Sequence, residues 1–486
     1  MSALAWRFDH SYARLPQPLF ARITPARVRA PRMVLFNEGL ARDLGLAQES
    51  GDRSALAAML SGNALPEGAE PIAQAYAGHQ FGHFAMLGDG RALLVGEHLC
   101  ADGRRVDIQL KGSGPTPFSR RGDGRAALGP MLREYLISEA MHALGIPTTR
   151  SLSVVATGEA VFRETLLDGA VLTRIAASHL RVGTFEYVSA RNEPELLDQL
   201  IRYAIERHDP GCAQAQRPAL ALLEAVIDRQ ASLIVEWARV GFIHGVMNTD
   251  NMSICGETID YGPCAFLERY DPDTAYSSID RGRRYAFGNQ PVIAQWNLAR
   301  LAEALLPAID SDADRALELA SDAVNRFSDL HAARQLAMMK GKLGLIGEHP
   351  DDESLIDGFL KWMLGSGADY TNSFRMLSEA EIAPERLATD AVLADWFRRW
   401  RDRLRASDSP IERSRELMRA SNPVLIPRNH RVEEALAAAT GPAADPGPIE
   451  RLLDALKTPY RQRAGFEDLE EPAPDGGRLY QTFCGT

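Results

Sequence analysis

An α+β fold in two lobes, the first rich in strands and the second helical, is what this sequence predicts. Three observations carry the prediction. Short apolar runs separated by Gly-Asp turns occupy residues 84–111, and similar runs return over 151–175; runs of that kind bounded by turn signals read as strands. Residues 218–240 carry apolar side chains at helical spacing. Beyond Pro291 most of the chain keeps a helical pattern. A chain of 486 residues exceeds what one core usually needs, and 45% hydrophobic residues supply material for a sizeable interior.

The elements follow in order. Residues 1–70 mix prolines with short apolar runs and read as an N-terminal elaboration packed on the main body. Residues 71–190 form the strand-rich lobe: FAML, RALLVGEHL and VDIQLKG are three strands, with hairpin turns expected at Gly88-Asp89-Gly90 and Asp102-Gly103. The Gly/Pro-rich basic stretch 112–124 is a loop. LGPMLREYLISEAMHALG is a helix, stopped by Gly145 with Pro147 beyond. SLSVVAT, EAVFRE and GAVLTRI read as strands. Residues 191–440 form the helical lobe, which includes the long helix 218–240 and a polar hairpin, 244–262. Residues 441–486 are a C-terminal extension, acidic and extended after Phe466, with Cys484 near its end. A strand-rich lobe, a long helix, a polar hairpin and a helical lobe, in that order, describe a bilobal kinase-like fold with nucleotide between the lobes.

Bulk properties narrow the function. The 54 Lys and Arg against 65 Asp and Glu give a net charge of −11, a poor match to nucleic acid or an anionic membrane. No apolar run reaches the length of a membrane span. The five cysteines are scattered without a CxxC pair, so no disulfide framework or zinc ribbon is expected. Residues 1–10 lack the pattern of a secretory signal, so the expected location is the cytoplasm.

Binding a triphosphate requires metal ions, cationic side chains and backbone N–H groups to meet several negative charges. Lys111, at the end of VDIQLKG, is a strand-borne cation that can enter a cleft; a solvated strand end is the competing reading. Glu134 in the following helix is the preferred partner for Lys111, with Glu139 as rival on a different face. In HGVMNTDNM…IDYG, Asn251 and Asp260 offer hard oxygens for a divalent cation from the two arms of the hairpin, against an ordinary Asx turn. Arg174 and Arg181, seven apart, would share one helical face and suit a terminal phosphate. Gly88, Gly90 and Arg91, and the loop with Gly122, Asp123 and Gly124, offer backbone and side-chain contacts. His79 and His83 have an i,i+4 spacing but lack a third zinc ligand, and are expected in a turn or core. A Ser113–His244 hydrolase pair has no G-x-S-x-G elbow behind it. Cys484 is either an inert tail thiol or a redox-active one.

Together AYAGHQFGHFAMLGDGRA, QLKGSGPTPFSRRGDGRAALGPMLREYLISEAM, RVGTFEY and GFIHGVMNTDNMSICGETIDYGPCAF resemble the selenoprotein O family of kinase-like proteins, most closely over residues 70–290. The departure from ordinary kinases lies at Val246. Two residues after His244 a kinase carries its base Asp, whereas Asn251 and Asp260-Tyr261-Gly262 keep the metal-binding pattern. The resemblance implies a nucleotide bound in a flipped orientation and transfer of AMP from ATP, with UTP as a variant donor, to Ser, Thr or Tyr hydroxyls of proteins. It implies that Lys111, Arg174 and Arg181 hold the outer phosphates. Gly88, Gly90, Arg91, Asp123 and Gly124 would contact the nucleotide, Asn251 and Asp260 would bind Mg²⁺ or Mn²⁺, and Asp250 would accept the proton. It also suggests redox control through Cys484, which matches the place of a family selenocysteine. A conventional kinase and a nucleotide-binding scaffold without activity are the alternatives.

Overall fold

A computed structural model describes residues 4–46, 52–378, 388–407, 409–441, 443–477 and 480–483. Its centre is an antiparallel sheet of nine strands. These are β1 (Phe8–Asp9), β2 (Phe20–Arg22), β3 (Arg32–Phe36), β4 (Ile72–Gln74), β7 (Ala92–Leu99), β8 (Arg105–Lys111), β9 (Ala126–Ala127), β10 (Arg150–Phe162) and β11 (Leu166–Ala176). The order is β2-β4-β7-β8-β11-β10-β3, with β1 on β7 and β9 on β11. Residues 1–70 therefore supply strands of the main sheet, including those at both ends of its order. Two small ladders stand apart: β5 (Ala77–Gln80) with β6 (His83–Met86), and β12 (Phe242–Ile243) with β13 (Ala265–Phe266).

Strands β7, β8, β10 and β11 have long stretches buried on both faces, because both faces of the sheet are covered. Helices α1 (Glu38–Asp43) and α2 (Arg53–Leu60) pack Leu40, Leu44 and Leu60 against Val106, Ile108, Val155 and Ile175. Helix α3 (Leu128–Ala143) takes the other face, with Leu132, Leu136 and Met141 buried against Val154 and Leu172. That core continues into α4 (Val182–Arg191), α5 (Pro194–His208), α6 (Pro218–Val240), α7 (Gln290–Ile309) and α8 (Ala313–Leu343). A second core, with Trp362, Trp396 and Trp400, gathers α9 (Asp352–Ser366), α10 (Tyr370–Leu377) and the helix Ala391–Arg405. The chain is thus mixed α/β, a large antiparallel sheet with many helices. Among the described residues no helix is long and apolar enough to cross a membrane.

Several local expectations change. SLSVVAT and EAVFRE are one strand, β10, with its register shifted between Ala156 and Ala160; Gly158, at φ +70, sits in that irregularity and lets the strand continue through it. Gly88-Asp89-Gly90 joins strands of different sheets rather than closing a hairpin. The Asp89 N–H donates to the Gln74 carbonyl instead, at 2.8 Å. The polar segment expected as a hairpin with strands in its arms is a long loop, 244–264, closed by the two-residue β12–β13 ladder. Its backbone bonds instead to distant segments: the Ile254 N–H donates to the Leu180 carbonyl at 3.0 Å, the Val182 N–H to the Met252 carbonyl at 2.9 Å and the Thr258 N–H to the Pro147 carbonyl at 3.0 Å. The tail after Phe466 includes a short helix, Glu467–Glu470, and Cys484 lies outside the described residues.

Candidate active site

One end of the sheet, the β5–β6 hairpin and the 244–264 loop enclose a cavity of about 1000 Å³. In an antiparallel pair, opposed residues share a face. Arg174 on β11 lies opposite Gln109 on β8, and Lys111 is two residues further along β8. All three therefore project to the same side, and all three line the cavity. The Lys111 ammonium is 2.7 Å from a Glu134 carboxylate oxygen and 2.5 Å from Asp260 Oδ1. The Arg174 guanidinium donates to Glu134, with Nε–Oε1 at 2.8 Å, to Asp260 Oδ1 at 2.5 Å and to Gln109 at 3.2 Å. Arg181 caps the N-terminus of α4. Its Nη1 donates to the Asp250 carbonyl at 2.9 Å and lies 3.5 Å from Asp260 Oδ2, and its guanidinium stands 4.4 Å over the Tyr76 ring. Three cations thus face Glu134 and Asp260, and buried Asp89 stands 3.9 Å from Arg181. Burial pushes the Asp260 carboxyl up, but Arg174, Lys111 and Arg181 together outweigh it and hold the group well below its ordinary value. Glu134 follows the same pattern: burial opposes ionisation, and Arg174 and Lys111 prevail.

Asp250 lies in a 3₁₀ turn, Thr249–Asn251. It is buried, and its Oδ1 has no hydrogen-bond partner. Gly78 on β5 permits this close approach, since a Cβ there would stand 2.4 Å from Asp250 Oδ1. Burial raises the Asp250 carboxyl to about 6, against the opposing pull of Arg181. The Asn251 amide donates to the Val246 carbonyl at 3.0 Å. Val246 lines the cavity and offers no side-chain acceptor. His244 is buried, with Nε2 2.9 Å from the Ile259 carbonyl. Burial lowers its pKa, so it braces the loop as a neutral ring.

Gly88, Gly90, Arg91, Asp123 and Gly124 all line the same cavity. Gly88 has φ +129, and a Cβ there would meet the Phe118 ring at 2.5 Å. Gly124, at φ +65, approaches the Gly114 backbone too closely for any Cβ. Asp123 is an exposed wall residue paired with Arg163 at 2.9 Å.

Every residue singled out in the sequence for nucleotide, metal or proton therefore borders this cavity, save Glu134, which lies behind it holding Lys111 and Arg174. Arg174 and Arg181 reach it from a strand and a helix cap rather than from one helical face; their spacing gave the wrong reason for a real proximity. The rival Glu139 pairs with Arg150 at 2.7 Å instead. Ser113 donates to the Leu110 carbonyl and does not meet His244. His79 and His83 occupy the β5–β6 hairpin, with His79 bonded to Glu186. Sequence reading missed Tyr76, Gln109 and Asn248 in the lining. Gln109 was legible, since it is two residues from Lys111 on one strand; Tyr76 and Asn248 carried no pattern.

Asp260 and the Asn251 side-chain carbonyl, left free because the Asn251 amide donates to Val246, are the kind of oxygens a hard divalent cation takes. Among the described residues no group of three His, Cys, Asp or Glu forms a metal site unaided.

Comparisons with known proteins agree on one family. The family profile described as "Protein adenylyltransferase SelO" matches residues 2–457. The chain is 55% identical over 483 residues to a "Protein nucleotidyltransferase YdiU" of Nitrosococcus oceani, covering 99% of this chain and 98% of that protein. It is 54% identical to proteins of the same name from Syntrophotalea carbinolica, over 483 residues, and Geobacillus kaustophilus, over 481. Each covers 99% of this chain, and the chain covers 98% and 99% of them, respectively.

Proposed function

The chain belongs to the SelO family of protein adenylyltransferases, and from that premise we propose that it transfers AMP from ATP to Ser, Thr or Tyr hydroxyls of proteins in the cavity around Asp260. It is an enzyme of the nucleotidyl-transferring class. The observation that carries the finer reading is the convergence of Lys111, Arg174 and Arg181 on one carboxylate at the cavity wall. All three cations line the cavity, where guanidinium and ammonium groups suit an incoming polyphosphate. The sheet-bearing part, 71–190, and the helical part, 191–440, act in this reading as the two lobes of a kinase-like fold. The working compartment is the cytoplasm.

The chemistry follows from the charges. The acceptor hydroxyl oxygen attacks the α-phosphorus of ATP. The bond from that phosphorus to the bridging oxygen of the β-phosphate breaks, and pyrophosphate leaves. Lys111, Arg174 and Arg181 neutralise the charge that grows on the leaving group. The hydroxyl proton passes to Asp250, whose carboxyl, raised by burial to about 6, is ionised at neutral pH yet more basic than an exposed aspartate. Gly88, Gly90, Arg91, Asp123 and Gly124 hold the rest of the nucleotide. Mg²⁺ or Mn²⁺ held by Asn251 and Asp260 would add charge neutralisation at the phosphates. Val246 in place of a kinase base argues against transfer of the terminal phosphoryl group.

The test uses ATP labelled separately at the α- and γ-phosphates, with Mg²⁺ or Mn²⁺ and a protein mixture. Label from the α-position alone, lost in Asp260→Ala and Lys111→Ala, is the expected result. Label from the γ-position would restore a kinase. Bound ATP with no transfer of either label would leave a scaffold. UTP labelled at its α-phosphate, run in parallel, tests UMP as the transferred group.

A further inference from the structure

The β5–β6 hairpin has one edge fixed to the site and one edge free. On the β5 side, the His79 N–H donates to Thr249 Oγ1 at 2.7 Å, and Gly78 rests against Asp250. On the β6 side no strand follows among the described residues. The hairpin turn is Phe81-Gly82, at φ +51 and +87, so Gln80 and His83 form the closing pair. Hydrogen-bonded pairs then alternate: Gln80–His83, Gly78–Ala85 and Tyr76–Leu87, the last shown by the Leu87 N–H on the Tyr76 carbonyl at 2.9 Å. The N–H and C=O groups of Phe84 and Met86 therefore point outward. Their side chains are 46% and 47% exposed.

The same alternation sets what faces the cavity. Tyr76, Gln80 and Leu87 line it, so Gly78 and Ala85, the cross-strand pair between them, share that face. Both are small, and Asp250 packs against Gly78. Close by, Ile279 lines the cavity mouth and Arg284 lies beside Gly82. Arg281 and Arg283, between them, are exposed and carry no ion pair among the described residues. Arg120 and Arg121, also in the cavity lining, are likewise exposed and unpaired. An uncompensated basic rim on a chain of net charge −11 favours an acidic ligand.

We propose that the free edge of β6, His83–Met86, docks an extended acidic segment of the protein substrate, which adds as a third strand and leaves the acceptor residue beyond its end to enter the cavity. The inference rests on the function proposed above and names how its acceptor is recognised. Strand addition draws affinity from main-chain bonds and specificity from alternate side chains. Alternate side chains of the added strand fall on the same face of the hairpin as Gly78 and Ala85.

The test uses the full-length protein, α-labelled ATP and short unstructured peptides, each with a single hydroxyl residue in a glutamate-flanked and a lysine-flanked version. The glutamate-flanked peptides are expected to be preferred, and an Arg281→Glu, Arg283→Glu double variant to lose that preference. Phe84→Pro removes one outward N–H and no hairpin bond, and should raise the peptide KM roughly threefold to tenfold with the KM for ATP unchanged. Backbone N-methyl groups scanned along the peptide test the same contact without altering the protein: strand addition makes every second position inhibitory. An N-methyl scan without that period of two, or a peptide KM unmoved by Phe84→Pro, overturns the docking strand. Labelling of folded proteins but of no peptide also overturns it while leaving AMP transfer standing. A wild-type protein that transfers no AMP to any acceptor overturns the underlying function as well.

Discussion

At Gly78 a single missing carbon atom decides whether the candidate base can sit where it does. A Cβ there would lie 2.4 Å from Asp250 Oδ1 and 2.9 Å from its Cβ and Cγ, so Gly78→Ala must displace the carboxylate or the hairpin. A displacement of about 1 Å at a reacting group can cost on the order of 100-fold in rate. Gly78→Ala is therefore expected to lower the turnover of AMP transfer by about that factor while ATP binding, measured by calorimetry, is kept. A second residue-scale prediction concerns Glu257, which accepts the Ala177 N–H at 2.9 Å among Cys255, Asp107 and Arg207. Burial raises its carboxyl from 4.5 to about 7. The folded state thus holds this proton more tightly than the unfolded chain. The stability it contributes is complete below about pH 4.5 and is lost as pH rises towards 7. Urea midpoints across that window should fall less steeply with pH in Glu257→Gln than in the wild type.

Among the elements, α3 and β8 are joined by charge as well as by packing. Glu134 is buried between Lys111 and Arg174, and its loss would leave those cations only Asp260. Removing one partner of a buried charge cluster costs roughly 3–5 kcal/mol. Glu134→Gln is expected to lower stability to denaturant by about that much and to weaken ATP binding, since Lys111 loses its direction. Glu139, on another face of the same helix, holds Arg150 and Asn37. Glu139→Gln should cost stability but leave the KM for ATP unchanged, so the two variants separate the site-facing side of α3 from the side that holds the neighbouring sheet strand.

For the whole molecule, the cavity draws its walls from the sheet, from the β5–β6 hairpin and from the loop 244–264. A nucleotide filling it bridges parts distant in sequence: Gly88 and Asp260 are both in its lining. Binding to the folded state alone stabilises it by about 2.7 kcal/mol at a hundred times Kd. ATP with Mg²⁺ or Mn²⁺ should therefore raise the midpoint of thermal unfolding. EDTA should remove the part of that rise due to the metal, and Asp260→Ala should remove the same part without EDTA. A rise from ATP that is indifferent to chelator would argue against Asn251 and Asp260 as metal ligands.

Periodicity and composition alone set the succession of strands and helices, the long helix 218–240 to its observed ends, and which residue types cluster around a phosphate. Those are local matters: periodicity, glycine turns and the chemistry of single side chains. The sequence misjudged the route by which Arg174 and Arg181 meet, the turn at Gly88–Gly90 and the strands expected within 244–262. In each case a local pattern permitted two conformations and a distant partner chose between them: Gln109 opposite Arg174, Gln74 on the Asp89 N–H, Phe266 pairing with Phe242. Only the tertiary structure brought Lys111, Glu134, Arg174, Arg181 and Asp260 into one cluster spanning 150 positions. The reason is physical. Each of those charges is costly to bury alone, and the interior admits them only where the folded chain supplies the opposite charge within about 4 Å.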